Sequence, residues 1–141
     1  MTQNAIFAPF FAMMFLTMIV WFYMYARRIP FIQGNELTPA QLVPLEFARI
    51  SPPAVSNPSD NLKNLFEIPT LFYAVVLYLY VTRQVDTTHV VAAWVFVVFR
   101  IVHSAVHSTI NIVILRFWLY AASTLTLWFM VIRAGVSALS Q

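Results

Sequence analysis

At 141 residues, 61% hydrophobic and only 9% charged, the chain has too few polar side chains to cover a water-soluble globule, where about 45–50% apolar and about 25% charged is usual. Lipid must therefore solvate its exterior. The net charge of +3 is too small and too dispersed for nucleic-acid binding, and the absence of cysteine excludes disulfides, thiolate metal ligands and a cysteine nucleophile.

Four apolar runs follow in chain order. The first, about 6–26, is as long as a bilayer span and is preceded by no Lys or Arg, so it is expected to be a retained helix rather than a signal peptide. Arg27, Arg28 and Pro30 close it. Residues 27–60 hold six of the chain's prolines and are expected to form a long extramembrane loop, with a short amphipathic helix within Thr38–Ile50. Ser59-Asp60-Asn61 is a plausible N-cap for a second helix over about 62–82, which Pro69 should kink. The third and fourth helices are expected at about 90–107 and 112–132, joined by short polar connections. Backbone groups in lipid must be satisfied within the segment, and these runs do not alternate as barrel strands do. The expected fold is an all-α integral membrane protein, one domain over residues 1–141, built as an up-down four-transmembrane-helix bundle. Arg27, Arg28, Arg49 and Lys63 lie on the side of the long loop, against Arg83 and Arg133 on the other, which places the long loop in the cytoplasm. The absence of an organelle signal favours a bacterial inner membrane.

Charges near a bilayer centre cost roughly 3 kcal/mol on insertion scales, so ionisable residues in these runs mark a polar site by default. Asn64 and Glu67 are three apart at the start of the second helix. Arg100, His103 and His107 are spaced three and four apart near the end of the third, and Arg116 and Tyr120 four apart near the start of the fourth. All lie toward one membrane side and can converge on one net-positive pocket. Arginine forks there suit a carboxylate-bearing ligand, and Arg116 could stabilise a thiolate. Three blander readings stand beside this one: a Glu67–Arg100 ion pair that only fixes the bundle, an Arg116 that snorkels to the interface, and a Tyr120 that only packs. His103 and His107 could ligate a metal at i and i+4, but no third ligand is evident, and no metal is assigned. His89 reads as a loop residue at a span start.

Asn64-Leu65-Phe66-Glu67, Arg100-Ile101-Val102-His103 and then Arg116 with Tyr120, on four apolar helices, resemble the MAPEG family, membrane-associated proteins in eicosanoid and glutathione metabolism. The resemblance implies a homotrimer, with glutathione as co-substrate bound between protomers near the cytoplasmic face. It implies Asn64, Glu67, Arg100 and Tyr120 as binders and Arg116 as the catalytic arginine that lowers the thiol pKa; His103 and His107 complete the expected pocket. The activity it implies is a glutathione-dependent transferase or peroxidase acting on lipophilic electrophiles. Two positions depart from the family pattern: Asp60 stands where a cation is common, and His107 where tyrosine is common. Both favour the alternative, a non-catalytic lipid-binding member or accessory subunit of a larger membrane complex.

Overall fold

A computed structural model describes residues 2–140. Among them every element is helical: α1 Phe7–Gly34, α2 Pro44–Ile50, α3 Pro53–Leu65, α4 Ile68–Val81, α5 Thr87–Ser108 and α6 Val113–Leu139, with 3₁₀ turns at Gln3–Ile6 and Pro39–Leu42. Four stretches are long and apolar enough to cross a membrane: Gln3–Gly34, Pro53–Val81, Thr87–Ser108 and Val113–Leu139.

α5 is the central helix. Ala93, Phe96, Val97, Arg100, His103, Ser104 and His107 recur at intervals of three and four and are all buried, so the polar stripe is the continuation of the apolar core stripe. α1 and α6 bury only single rows: Pro9, Met13, Leu16, Val20 and Met24 on α1, and Ser123, Leu127, Met130 and Ala134 on α6. Many of their other apolar side chains, among them Phe22, Ile114, Trp118 and Leu125, face outward, as a lipid-solvated surface requires. Phe72 of α4 stacks on Phe96 of α5, centroids 4.5 Å apart, and both are fully buried.

The connection between the first and second spans differs from the expected loop. α1 continues eight residues past Ala26, through Arg27, Arg28 and Pro30, and ends where the Asn35 side chain donates to the Phe31 carbonyl (2.8 Å). Residues 44–50 and 53–60 are helical as well. Ser59-Asp60-Asn61 is not an N-cap, since α3 already begins at Pro53.

The Pro69 kink takes the form of a full break one turn earlier, at Phe66–Glu67, where Glu67 has φ −93° and ψ −101°. In a continuous helix the Pro69 ring would collide with the Leu65 carbonyl, so the chain restarts at Ile68 with proline in the first turn, where no N–H is needed. α4 has 14 residues and is about 21 Å long, short of a hydrocarbon core of about 30 Å, so the end of α3 must complete the span. This puts Asn64 and Glu67 near one membrane boundary.

At the opposite end the chain closes on itself. The Gln3 side-chain amide donates to the Val85 carbonyl and accepts from the Val85 N–H, both at 3.2 Å.

Candidate functional site

Three elements supply the polar site: the end of α3, the last two turns of α5 and the first two turns of α6. Asn64, His103, Val113, Arg116, Phe117 and Tyr120 line one cleft of about 250 Å³.

Behind this cleft lies Arg100, 0% exposed. Its Nη2 donates to the Asn64 carbonyl at 2.8 Å, and its guanidinium sits 5.7 Å from the Tyr120 ring centre. The Nε and Nη1 donors have no partner among the described residues. A buried charge with unanswered donors costs several kcal/mol unless something else meets them.

The Glu67–Arg100 ion pair of the blander reading is not formed. The helix break leaves Glu67 exposed, and the Asn64 carbonyl freed at the end of α3 takes the arginine instead. Glu67 does not line the cleft.

The two histidines are buried side by side, rings edge to face with centroids 5.6 Å apart. His103 Nδ1 donates to the Arg116 carbonyl (3.1 Å), leaving Nε2 as a buried nitrogen without a partner among the described residues. His107 Nδ1 lies 3.4 Å from Asn64 Nδ2, at the weak limit of a hydrogen bond. His107 therefore supports the cleft from behind rather than lining it. No group of three or more His, Asp or Glu able to hold a metal occurs among the described residues.

Arg116 is half-buried and faces the cleft. It does not snorkel freely. Its Nη1 donates to Asn111 Oδ1 at 2.7 Å, and Asn111 Nδ2 in turn donates to Asn57 Oδ1 at 3.0 Å. Asn111 has φ 47°, a left-handed conformation that asparagine tolerates and that the tight α5–α6 turn requires. One residue thus sets both the turn and the arginine. Asn57, in the segment expected to be a loop, completes this relay because α3 starts four residues before it. Asn61, also on α3 and fully buried, donates to Ser108 Oγ at 3.0 Å and further fastens α3 to the end of α5. Neither Asn57 nor Asn61 was an expected site residue.

Asp60, the acidic departure, does not enter the cleft. Its carboxylate pairs with Lys63 at 2.9 Å and faces a different depression, between α1, α2 and α3.

A second cluster at the other membrane side has no place in the sequence reading. Asp86 caps α5 by accepting from the His89 N–H (2.9 Å) and is held bidentately by Arg133 of α6, at 2.6 and 3.0 Å. His89 is buried against both. The Arg133 guanidinium, assisted by the His89 N–H, pulls the Asp86 carboxyl down to about 2. The signal was available: an aspartate three residues before His89 at the start of an apolar run is an N-cap pattern.

A cleft of about 590 Å³, larger than the polar one, lies elsewhere. It is an apolar groove between α4 and α6, lined by Leu71, Tyr78, Trp128 and the small residues Ala134, Gly135 and Ala138.

Compared with known proteins, the chain matches the family model described as the MAPEG family over residues 6–136. No curated protein and no solved structure matches it.

Proposed function

The chain belongs to the MAPEG family, and from that premise we propose that it is a membrane-bound glutathione-dependent transferase or peroxidase acting on lipophilic electrophiles. It is an integral multi-pass membrane protein of a family concerned with eicosanoid and glutathione metabolism.

The observation that carries the proposal is Arg116. It is an arginine at a cleft wall, aimed by Asn111 and flanked by Asn64, His103 and Tyr120. Glutathione carries two carboxylates, an amine and a thiol. Asn64 and Tyr120, which line the cleft, supply neutral hydrogen-bonding groups to it. Arg100 and His103 hold the back wall, where the unpaired Arg100 donors fit an anion. Arg116 favours the thiolate electrostatically. The thiol proton leaves to water, sulfur bonds to the electrophilic carbon, and the leaving group departs with its electron pair.

At about 250 Å³ the cleft is below the roughly 300–1,000 Å³ of ordinary small-molecule sites, so one protomer gives an incomplete wall. This supports a homotrimer with the ligand between protomers. The basic residues Arg27, Arg28, Arg49 and Lys63 on the same side support a cytoplasmic position for the site.

Calorimetry with glutathione in detergent, followed by conjugation of a chlorodinitrobenzene, tests the proposal. Arg116→Ala is expected to retain binding within a few-fold and to lose about 10²-fold in kcat, the usual cost of one preorganised donor. Absence of binding at millimolar glutathione overturns it.

A second reading, a lipid-binding or accessory member without turnover, is favoured by one observation: the apolar α4–α6 groove, at about 590 Å³, is larger than the polar cleft. Co-purification with a larger membrane complex and no conjugation by the wild type would select it.

A further inference from the structure

The depression between the end of α1, α2 and α3 is separate from the polar cleft and plays no part in the chemistry above. It encloses about 280 Å³ and is walled by Arg28, Phe47, Ser56, Ser59, Asp60 and Lys63. Its height is fixed by α1. The long apolar run of that helix ends at Ala26 and Arg27 and Arg28 follow at once, which sets Arg28 at the polar boundary of that run.

The charges around it do not cancel. Glu46 is paired with Arg49 at 3.1 Å and Asp60 with Lys63 at 2.9 Å. Arg28 has no carboxylate within 4.0 Å among the described residues. Its guanidinium lies over the Phe47 ring, 4.2 Å from the centroid, which holds it half-buried while leaving its N–H edge for an anion. Arg27 precedes it and adds to the local positive potential.

α2 is apolar on two faces. Phe47 is buried against α1, its ring 6.0 Å from that of Phe31. On the other face Leu45 is 85% exposed and neighbouring Val43 53% exposed, although both lie outside the membrane-crossing stretches. A short helix with a packed face, a bare apolar face and an unpaired cation beside it has the make-up of an element lying in the membrane interface.

We propose that this depression binds the phosphate of an anionic phospholipid from the leaflet on the α2 side. Arg28 is the phosphate ligand, Ser56 and Ser59 form the polar wall, and Leu45 and Val43 rest on the acyl chains. The site does not depend on the glutathione proposal.

The test uses the purified protein reconstituted in vesicles of equal parts phosphatidylglycerol and phosphatidylcholine, then re-extracted in mild detergent, with the retained lipid counted by native mass spectrometry. The wild type should retain phosphatidylglycerol over phosphatidylcholine by about five-fold, the ratio expected for one surface cation on an anionic leaflet. Arg28→Gln should bring that ratio to near one, Arg28→Lys should keep most of it, and Arg116→Ala should leave it unchanged. Circular dichroism of Arg28→Gln confirms that the variant is folded. Displacement by soluble glycerol phosphate at millimolar concentration, with no retained lipid, would reassign the site to a free phosphate and overturn the proposal. So would a wild-type ratio of one, an Arg28→Gln ratio equal to wild type, or a Leu45→Cys crosslink to a second copy with no lipid retained.

Discussion

Asn111 joins two tasks that single side chains seldom combine, a left-handed turn and the aiming of Arg116. Asn111→Ala removes one hydrogen bond to a charged group and one neutral bond and strains the turn, so it should cost about 2–3 kcal/mol in thermal stability. It should also lower kcat several-fold more than it raises KM and shift the pH–rate profile for thiolate formation upward; a stability loss with an unchanged profile would show that Asn111 serves the fold alone. Arg100 makes the opposite case. Arg100→Met replaces a buried cation with unpaired donors by an apolar side chain of similar length. Thermal stability should hold or rise by about 1 kcal/mol while glutathione binding falls at least tenfold; a strongly destabilised variant would count against this. Asp86 gives a pH test. Its folded pKa of about 2 lies below the ordinary value of 3.8, so the stability it contributes is fully present above about pH 4 and lost as pH falls through about 2. Because Asp86 and Arg133 are partly exposed, screening reduces that contribution to about 1 kcal/mol. Melting temperatures of the wild type and Asp86→Asn in detergent should differ at pH 6 and converge near pH 2. The residues of the candidate site were legible in the sequence because charges in apolar runs stand out. Their pairing was not: which acceptor takes Arg100 depends on where α3 ends, and spacing alone treats Glu67 and the Asn64 carbonyl as equally near.

The spans were legible for the reason that sets them apart, about 20 apolar residues apiece. The segment 27–60 was not, and its prolines explain why. They read as helix breakers, yet Pro39, Pro44 and Pro53 each open a helix, where a missing N–H costs nothing. Pro30 and Pro58 lie within helices that continue past them. The α3–α4 break is the reverse, a proline whose effect appears one turn upstream. Pro69→Ala removes the steric cause of that break. Helix content by circular dichroism should rise slightly, and glutathione affinity should fall several-fold as the Asn64 carbonyl re-enters the helix and releases Arg100. Unchanged affinity would show that the break is held by packing of α3 rather than by Pro69. The polar half of the α5 stripe was legible from its three-and-four spacing, and its burial continues that of the apolar half.

For the molecule as a whole, polar networks stand at both ends of an apolar bundle. The end bearing the candidate site leaves donors unanswered at Arg100, whereas the opposite end closes its ion pair between Asp86 and Arg133. On the proposed function the closed end contributes cohesion alone, so variants at Asp86 should change melting temperature and leave KM for glutathione where it is. The Gln3–Val85 pair at the closed end bears on how the chain reaches its final topology. Two reciprocal bonds join residues 82 positions apart, on either side of two completed membrane crossings. They can form only if α1 has inserted with its start on the same side as the connection before α5. A chain whose first helix entered the bilayer the wrong way round would leave Val85 unmatched and the end of the bundle open to digestion. The pair is thus satisfied in only one topology of the first two crossings.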